Sequence, residues 1–189
     1  MTDAQELSSL AQTAVGRSWA PYRTARIDTR QVHLERVRPL ARSVHRSRLA
    51  SAGEILSGLR AEGVPPFVCH FRATQDGVFV RFPPVLEQHD DRFLIVDGMH
   101  RLMAAAGSGE DEVTAIVVSS PSLPPPTVPP CEWGDVAVVD AKPPRAEKFP
   151  GYVAELFRPT AKVLDGLCGP YESDRRAVES LRRAVSAVG

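Results

Sequence analysis

The chain has 189 residues, with 23 Lys and Arg against 23 Asp and Glu, and 43% of its residues are hydrophobic. This length and composition predict one ordinary globular domain, with at most a modest extension. A net charge of zero excludes binding to DNA or to an acidic membrane through a global positive field, although it leaves room for a local basic patch.

Residues 1–28 are predicted to form an N-terminal helix and a lead-in to the main unit. Thr2 and Gln5 have the spacing of a capping box, and Gly16 is the expected end of the helix. Residues 1–15 lack the basic start and the unbroken apolar core of a signal peptide. Because no run in the chain is long enough to span a bilayer, we expect a cytoplasmic protein without a membrane partner.

A strand, a helix and a hairpin are predicted next. Residues 29–38 alternate between polar and apolar side chains, as a strand with one polar face does. Residues 47–62 place leucine and isoleucine on one helical face, and Gly63 is a suitable residue to follow the helix. Two short β-branched or aromatic runs flank the dipeptide Asp76-Gly77, which is a strong hairpin signal.

The middle of the chain is predicted to pass from a loop into a buried strand and then a helix. Residues 83–91 predict a loop, which together with the hairpin makes an insertion near 72–91. The unbroken apolar run of residues 92–97 predicts a strand that is buried on both faces. A helix follows from Met99 to Gly107 or Gly109, and residues 113–119 form the next strand.

The C-terminal third begins with a proline-rich connector. Six of the eleven residues from Ser120 to Pro130 are prolines, so residues 121–130 are predicted to be extended and semi-rigid. Residues 131–189 are then a C-terminal extension that is mostly helical. The apolar positions predicted to face inward on its last helix are Val178, Leu181, Val185 and Val188. The four arginines of that helix are expected to form a solvated face rather than a phosphate contact.

The residues with the most distinctive chemistry lie where the buried strand becomes a helix, in the sequence "DGMHR". A helix that starts after Gly98 presents free backbone N–H groups and a partial positive charge, and a glycine lets a ligand approach the backbone. His100 and Arg101 then lie at the helix end where cations are unfavourable, which favours an arriving phosphate. Asp97 can orient His100, hold a magnesium ion or bond a ribose hydroxyl. A plain Asp-Gly turn without a ligand stays open as the alternative.

The segment "IVDGMHRLMAAAGSGEDEVTAIVV" resembles the signature of the ParB/sulfiredoxin superfamily, in which an apolar strand, D-G-x-H-R, an alanine-rich helix and a second strand follow one another. The resemblance covers roughly Thr29 to Ser119, and the spelling "DGMHR" is most similar to N-terminal domains of antibiotic-pathway regulators. It implies an α+β fold, with residues 29–120 as a ParB/sulfiredoxin-like core. That core is a small mixed sheet with flanking helices, and the C-terminal helical extension follows it.

This resemblance also implies that a nucleotide, ATP or CTP with Mg²⁺, binds at the turn. The implied nucleotide-binding positions are Gly98, Met99, His100 and Arg101, together with His45 and Arg46 in a basic loop that the family layout brings nearby. The candidate catalytic residues are Glu35, Asp97 and His100, with Asp97 also the candidate metal ligand.

Two departures from the superfamily's patterns narrow the expected function. Met99 occupies the position where a sulfiredoxin has its catalytic cysteine, and Cys69, Cys131 and Cys168 lie elsewhere and form no zinc spacing. Serine kinases of the superfamily carry a glutamate just after the opening strand's proline, and this chain has no carboxylate there. Glu35 precedes this place and Glu54 follows it on the next helix, and either carboxylate can serve as a base, although neither lies at the matching position.

We therefore expect a phosphotransferase or nucleotidase that uses ATP or CTP and acts on a small-molecule acceptor. One alternative is a DNA-associated transcriptional regulator or partition-type protein that uses the nucleotide as a switch, although no convincing helix-turn-helix fits after the connector. A second alternative is a degenerate domain that only mediates protein contacts. A homodimer is possible. The insertion near 72–91 forms either a wall of a substrate pocket or a plain exposed hairpin.

Overall fold

The computed structural model describes residues 2–119, 124–125, 127, 130–171 and 174–187. Within these ranges the α-helices are α1 (Thr2–Ser18), α2 (Arg46–Ala61), α3 (Met99–Gly107), α4 (Arg145–Lys148), α5 (Thr160–Leu167) and α6 (Asp174–Ala187). The strands are β1 (Arg26–His33), β2 (Val37–Arg38), β3 (Ser43–His45), β4 (His70–Thr74), β5 (Gly77–Arg81), β6 (Val85–His89), β7 (Arg92–Asp97), β8 (Glu112–Ser119) and β9 (Ala137–Val139).

A mixed five-stranded sheet organises the fold, in the order β1-β8-β6-β7-β2. The strands of the pairs β1/β8 and β6/β7 are antiparallel, whereas those of β6/β8 and β2/β7 are parallel. Two smaller pairs accompany this sheet, the antiparallel β4/β5 hairpin and the parallel pair β3/β9. The predicted α+β class, a small mixed sheet with flanking helices, is confirmed.

The sheet is covered on both faces, so it separates two hydrophobic clusters. On β8, Ile116 and Val118 belong to the cluster that contains α1, α5 and α6, whereas Val117 belongs to the cluster under α2 and α3. The strand alternates between the two because successive side chains point to opposite faces. Each fully buried aliphatic side chain stabilises the fold by about 1.5–3 kcal/mol. The strands that lead into the candidate site are therefore held from both sides.

The strand predicted over residues 29–38 is wrong as a single element. β1 ends at His33, a 3₁₀ turn follows at Leu34–Arg36, and β2 comes after it. The sheet order explains the break, because β1 and β2 are at opposite edges of the sheet and the chain must cross from one edge to the other. Leu34 and Val37 are both buried where the chain crosses. The alternation of polar and apolar residues therefore continues through the break and predicts a single strand.

The loop predicted over residues 83–91 is also wrong, because it contains β6, an interior strand of the main sheet. The hairpin outside that sheet is therefore confined to residues 70–81, and not to 72–91. Asp90, with a φ of 52°, forms the tight turn between β6 and β7. His89, at the end of β6, is only 21% exposed and contacts the buried Glu87 at 2.6 Å.

The remaining elements follow the predictions closely. α2, α3, β7 and β8 begin and end within two residues of their predicted limits. α1 does not stop at Gly16 but continues to Ser18. A side chain at Gly16 would crowd Ile27, whose Cδ1 lies 3.1 Å from the position of a Cβ. On α6, Val178 and Leu181 are buried as predicted, whereas the side chains of Val185 and Val188 lie outside the described residues.

The C-terminal segment shares a hydrophobic cluster with the N-terminal helix. Leu164 and Leu181 pack in the cluster that also contains Leu7 and Ala11 of α1. β9 pairs with β3, and the Cys131 N–H donates to the Pro39 carbonyl at 2.8 Å. The cysteines are free, and burial raises the pKa of the Cys69 thiol to about 12, which keeps this thiol protonated at neutral pH. In the described part of the chain, no helix combines the length and the apolar character needed to cross a bilayer.

Candidate functional site

Gly98 connects β7 to α3 in a backbone conformation that requires a glycine. Its φ is +90°, and a Cβ at this position would lie 2.7 and 3.0 Å from atoms of Pro84. It is the N-cap of α3, and no side chain caps the helix start. The first N–H groups of α3 therefore keep their hydrogen-bonding capacity for a ligand.

A second helix starts beside the first one. His45 is the N-cap of α2, which also has no side-chain cap. The backbone N–H of His45 donates to Nε2 of His100 at 3.2 Å, so the beginnings of α2 and α3 are joined directly. Two uncapped N-termini, each with a partial positive charge, therefore converge at one place.

The imidazole of His100 is held in its neutral form by this environment. Its Nε2 accepts a hydrogen bond, which assigns the ring proton to Nδ1. Burial and the nearby charges of Lys148 and Arg48 lower the pKa of His100. The ring can therefore donate from Nδ1 at neutral pH without adding a further positive charge.

A cavity of about 630 Å³ lies in front of the two helix starts. Its walls come from α2, β5, the β7–α3 turn and the α4–α5 segment. The lining includes the polar residues Ser47, Arg48, Ser51, Arg81, Asp97, His100, Arg101, Lys148, Arg158 and Asp165, and the apolar residues Ile55, Phe79, Phe82, Met99, Phe149, Phe157 and Leu164. This size and mixture are typical of a site for a small organic ligand.

Arg48 and Lys148 bring positive charge to the cavity without a counterion. Neither cation is in an ion pair with a carboxylate among the residues that the structure describes. Burial, with the charges of Lys142 and Arg48, lowers the pKa of Lys148. Together with the neutral imidazole of His100 they form the first cationic group, defined here as Arg48, His100 and Lys148, in which Arg48 and Lys148 carry the positive charge.

Arg101 lines the cavity beside the β7–α3 turn. Its guanidinium donates to the Phe82 carbonyl and to Oδ2 of Asp97, the latter at 3.2 Å. Its side chain is 23% exposed and contributes to the lining. Arg101 therefore connects the β7–α3 turn to Phe82, the residue that follows β5, while it still presents positive charge to the cavity.

Two carboxylates face the same space. Asp97 comes from the end of β7, and Asp165 comes from α5. Burial and the negative charge of Asp97 raise the pKa of Asp165. Two carboxylates that influence each other in a cavity can divide the tasks of binding a cation and accepting a proton.

Three residues of the predicted site lie outside the cavity lining. Glu35 is exposed in the 3₁₀ turn after β1, so the structure provides no contact that supports its role as a base. Arg46 forms an ion pair with Asp140 at 2.7 Å. The backbone N–H of His45 donates to the ring of His100, and the ring of His45 contacts the Ser47 hydroxyl. The structure brings together Asp97, Gly98, Met99, His100 and Arg101.

Sequence reasoning missed Lys148, Asp165 and Arg81, because nothing in their local sequence marks them. It also missed a buried network around Glu87 of β6, which is 0% exposed. Arg158 contacts both oxygens of this carboxylate, with Nε at 2.7 Å, and Tyr22 donates its hydroxyl to it. The guanidinium of Arg158 also lies 4.6 Å from the ring centre of Trp19. This network joins β6 to the N-terminal and C-terminal segments beside the cavity.

Three solved structures are similar to about half of the chain. SbnI with a C-terminal truncation, from Staphylococcus aureus, is 16% identical over 48% of this chain and 30% of that chain, with a TM-score of 0.34. A free serine kinase in complex with AMP is 18% identical over 48% and 31%, with a TM-score of 0.33. A conserved hypothetical protein from Pyrococcus furiosus is 17% identical over 49% and 32%, with a TM-score of 0.34.

The chain matches about a third of the length of each of these three proteins. No protein-family model matches it, and no curated protein does either. The superfamily therefore stays a resemblance, carried by the "DGMHR" segment.

Proposed function

We propose that the cavity binds a nucleoside triphosphate and transfers its terminal phosphoryl group to a small molecule or to water. The observation that carries this proposal is the convergence of two uncapped helix N-termini on the first cationic group. Backbone N–H groups and unpaired cations in this arrangement suit an oligophosphate. The apolar residues of the same cavity offer a surface for the base and the sugar.

The two carboxylates complete the requirements of phosphoryl transfer. Magnesium is commonly bound by one or two carboxylates together with substrate phosphates, and Asp97 lies at the helix start where phosphates would lie. The described residues contain no group of three or more metal-ligating side chains, so a magnesium ion would depend on the nucleotide for its remaining ligands. Magnesium would supply charge neutralisation on the phosphates.

Asp165 is the better candidate for the base, because its raised pKa favours proton uptake. The acceptor oxygen forms a bond to the terminal phosphorus while the bond from phosphorus to the bridging oxygen of the nucleoside diphosphate breaks. The proton of the acceptor hydroxyl moves to the Asp165 carboxylate. Positioning and charge stabilisation account for most of the catalysis in reactions of this type.

Thermal unfolding with ATP and with CTP, each with magnesium or with EDTA, tests the binding step. A ligand at a hundred times its Kd stabilises a protein by about 2.7 kcal/mol. At this chain length, each kcal/mol raises the unfolding temperature by about 2–4 °C. Lys148→Ala should abolish most of that rise. Lys162→Ala, which removes an exposed lysine of α5, is the matched control and should retain it. A failure of both nucleotides to raise the unfolding temperature would contradict the proposal.

Turnover is tested separately with Asp165→Asn. This change should preserve the stabilisation by nucleotide and lower the rate of nucleotide loss by about 10²- to 10⁴-fold, the usual contribution of a general base. An unchanged rate would remove Asp165 from the mechanism.

The alternative of a DNA-associated regulator has less support. Arginines of α6 are engaged in ion pairs, since Arg175 pairs with Glu179 and Arg182 pairs with Glu6. A basic surface for phosphate contacts would need those charges free. Salt-dependent binding to duplex DNA would reverse this preference.

A further inference from the structure

The β4/β5 hairpin carries a second group of cations, and we infer that this group binds the anionic end of the second substrate. The second cationic group is defined as Arg72 and Arg81 of the hairpin together with Arg101 of α3. The anion is a carboxylate or a phosphate group on the molecule that accepts the phosphoryl group. The inference rests on the proposed function, because it names the class of acceptor.

Strand register places the two hairpin arginines on one face. His70 is paired with Arg81, and Arg72 is paired with Phe79. Side chains of paired residues lie on the same face of an antiparallel ladder, and alternate residues share that face. The opposite face, which carries Val80, packs in the hydrophobic cluster under α1. The hairpin therefore turns its cationic face away from that cluster. Arg81 lines the cavity together with Phe79 and Val80, whereas Arg72 lies outside the lining.

The hairpin guanidinium groups have unused donors. Nε of Arg81 and Nη1 of Arg72 are buried without a hydrogen-bond partner. Within the described ranges, no carboxylate is in an ion pair with either side chain. Nε2 of His70, on the same face, is likewise buried and unpartnered.

These cations lie close enough to repel one another. Burial lowers the pKa of the Arg81 guanidinium, and the charges of Arg101 and Arg72 lower it further. Burial of a charge without a partner is costly, as is the close approach of like charges. An oxyanion would offset both costs, because the planar fork of arginine matches the oxygens of a carboxylate or a phosphate.

The second group shares no residue with the first one, because its members come from β4, β5 and α3, whereas Arg48 and Lys148 come from α2 and α4. The charges of Lys148 and Arg48 lower the pKa of His100, whereas the charges of Arg101 and Arg72 lower the pKa of Arg81. Asp165 lines the same cavity as Arg48 of the first group and Arg101 of the second, and the charges of both arginines act to lower its pKa. A nucleotide on the first group and an acceptor anchored on the second would meet at the proposed base.

Thermal unfolding with glycolate, glycolamide and inorganic phosphate tests the inference. Glycolate carries a carboxylate and a hydroxyl, and glycolamide is its uncharged counterpart. Glycolate, phosphate or both should stabilise the wild-type protein, whereas glycolamide should not. Stabilisation by only one of the two anions would distinguish a carboxylate from a phosphate as the recognised group.

The variant Arg81→Gln should bind the stabilising anion about ten- to a hundredfold more weakly, as the loss of a charged hydrogen bond predicts. Without ligand it should unfold at the same temperature or higher, because it removes an uncompensated cation. Arg72→Gln should likewise weaken anion binding without lowering the unfolding temperature of the free protein. Arg92→Gln is the matched control, since Arg92 is exposed at the far end of the strand that leads to Asp97.

An anion effect that survives Arg81→Gln and Arg72→Gln but disappears in Lys148→Ala would overturn the inference, because the anion would then occupy the first group. Stabilisation by ATP with no response to either anion would also overturn it while the proposed function stands. An anion effect that depends on Arg81, without any response to ATP or CTP, would keep the anion site and reject the nucleotide function.

Discussion

Gly98 is the residue on which the geometry of the candidate site depends most directly. Its left-handed backbone turns the chain from β7 into α3 and leaves no room for a Cβ beside Pro84. The same conformation exposes the N–H groups at the start of the helix. A single residue therefore combines a steric requirement with the proposed contact to phosphate.

Gly98→Ala should destabilise the protein by about 1–3 kcal/mol, the usual cost of a strained backbone residue. Gly53→Ala should act in the opposite direction and stabilise it by about 0.5–1 kcal/mol, because Gly53 lies inside α2 with open space around it. Urea unfolding of both variants measures this pair of changes. Equal effects of the two substitutions would show that the turn tolerates a side chain.

At the scale of elements, β6 differs most from what its sequence predicts. It lies inside the main sheet and yet carries the polar residues Glu87, Gln88 and His89 in succession. The strand is stable because Arg158 and Tyr22 satisfy the buried carboxylate. Burial alone would raise the pKa of Glu87, but the hydrogen bonds from His89 and Arg158 hold it below its ordinary value.

This network should give the fold an acid-sensitive component. Because the native pKa of Glu87 is lowered, the resulting stability is complete above the ordinary glutamate value of about 4.3 and is lost as the pH falls through the lower native value. Glu87→Gln leaves Arg158 buried without its counterion, at a cost of about 3–5 kcal/mol near neutral pH. The difference in unfolding free energy between wild type and variant should shrink below pH 4.3. A difference that stays constant with pH would contradict this assignment.

At the scale of the whole molecule, the two ends of the chain complete one hydrophobic cluster. Leu181 of α6 is fully buried in the cluster that contains Leu7 of α1. The C-terminal segment also supplies Lys148 and Asp165 to the cavity. Stability and the candidate site therefore both depend on residues beyond the proline-rich connector.

Leu181→Ala should lower the free energy of unfolding by about 2–5 kcal/mol, because it leaves a void in this shared cluster. The unfolding transition measured by circular dichroism should remain single and cooperative. Ala187, at the exposed end of the same helix, offers a control in the form of Ala187→Ser, which should change stability by less than about 0.5 kcal/mol. Two separate transitions would show instead that the C-terminal segment unfolds on its own.

The sequence predicts the local elements of this fold well, and its long-range pairings poorly. The β7–α3 turn is visible because an apolar run, an Asp-Gly pair and a helix-forming stretch follow one another along the chain. β6 is not predicted, because its polar residues are typical of a loop and Arg158, the partner of Glu87, lies 71 residues away in the sequence. Lys148 and Asp165 are hidden for the same reason, since only the packing of α4 and α5 brings them to the cavity.

The position of Trp19 beside Arg158 has a practical consequence. Trp19 and Trp133 are the two indoles of the chain, and Trp133 donates its ring N–H to the Leu34 carbonyl, away from the cavity lining. In a Trp133→Phe background, the fluorescence would come from the indole that lies against a guanidinium of the cavity wall. Occupancy of the cavity could then be followed by emission from unlabelled protein, one ligand at a time.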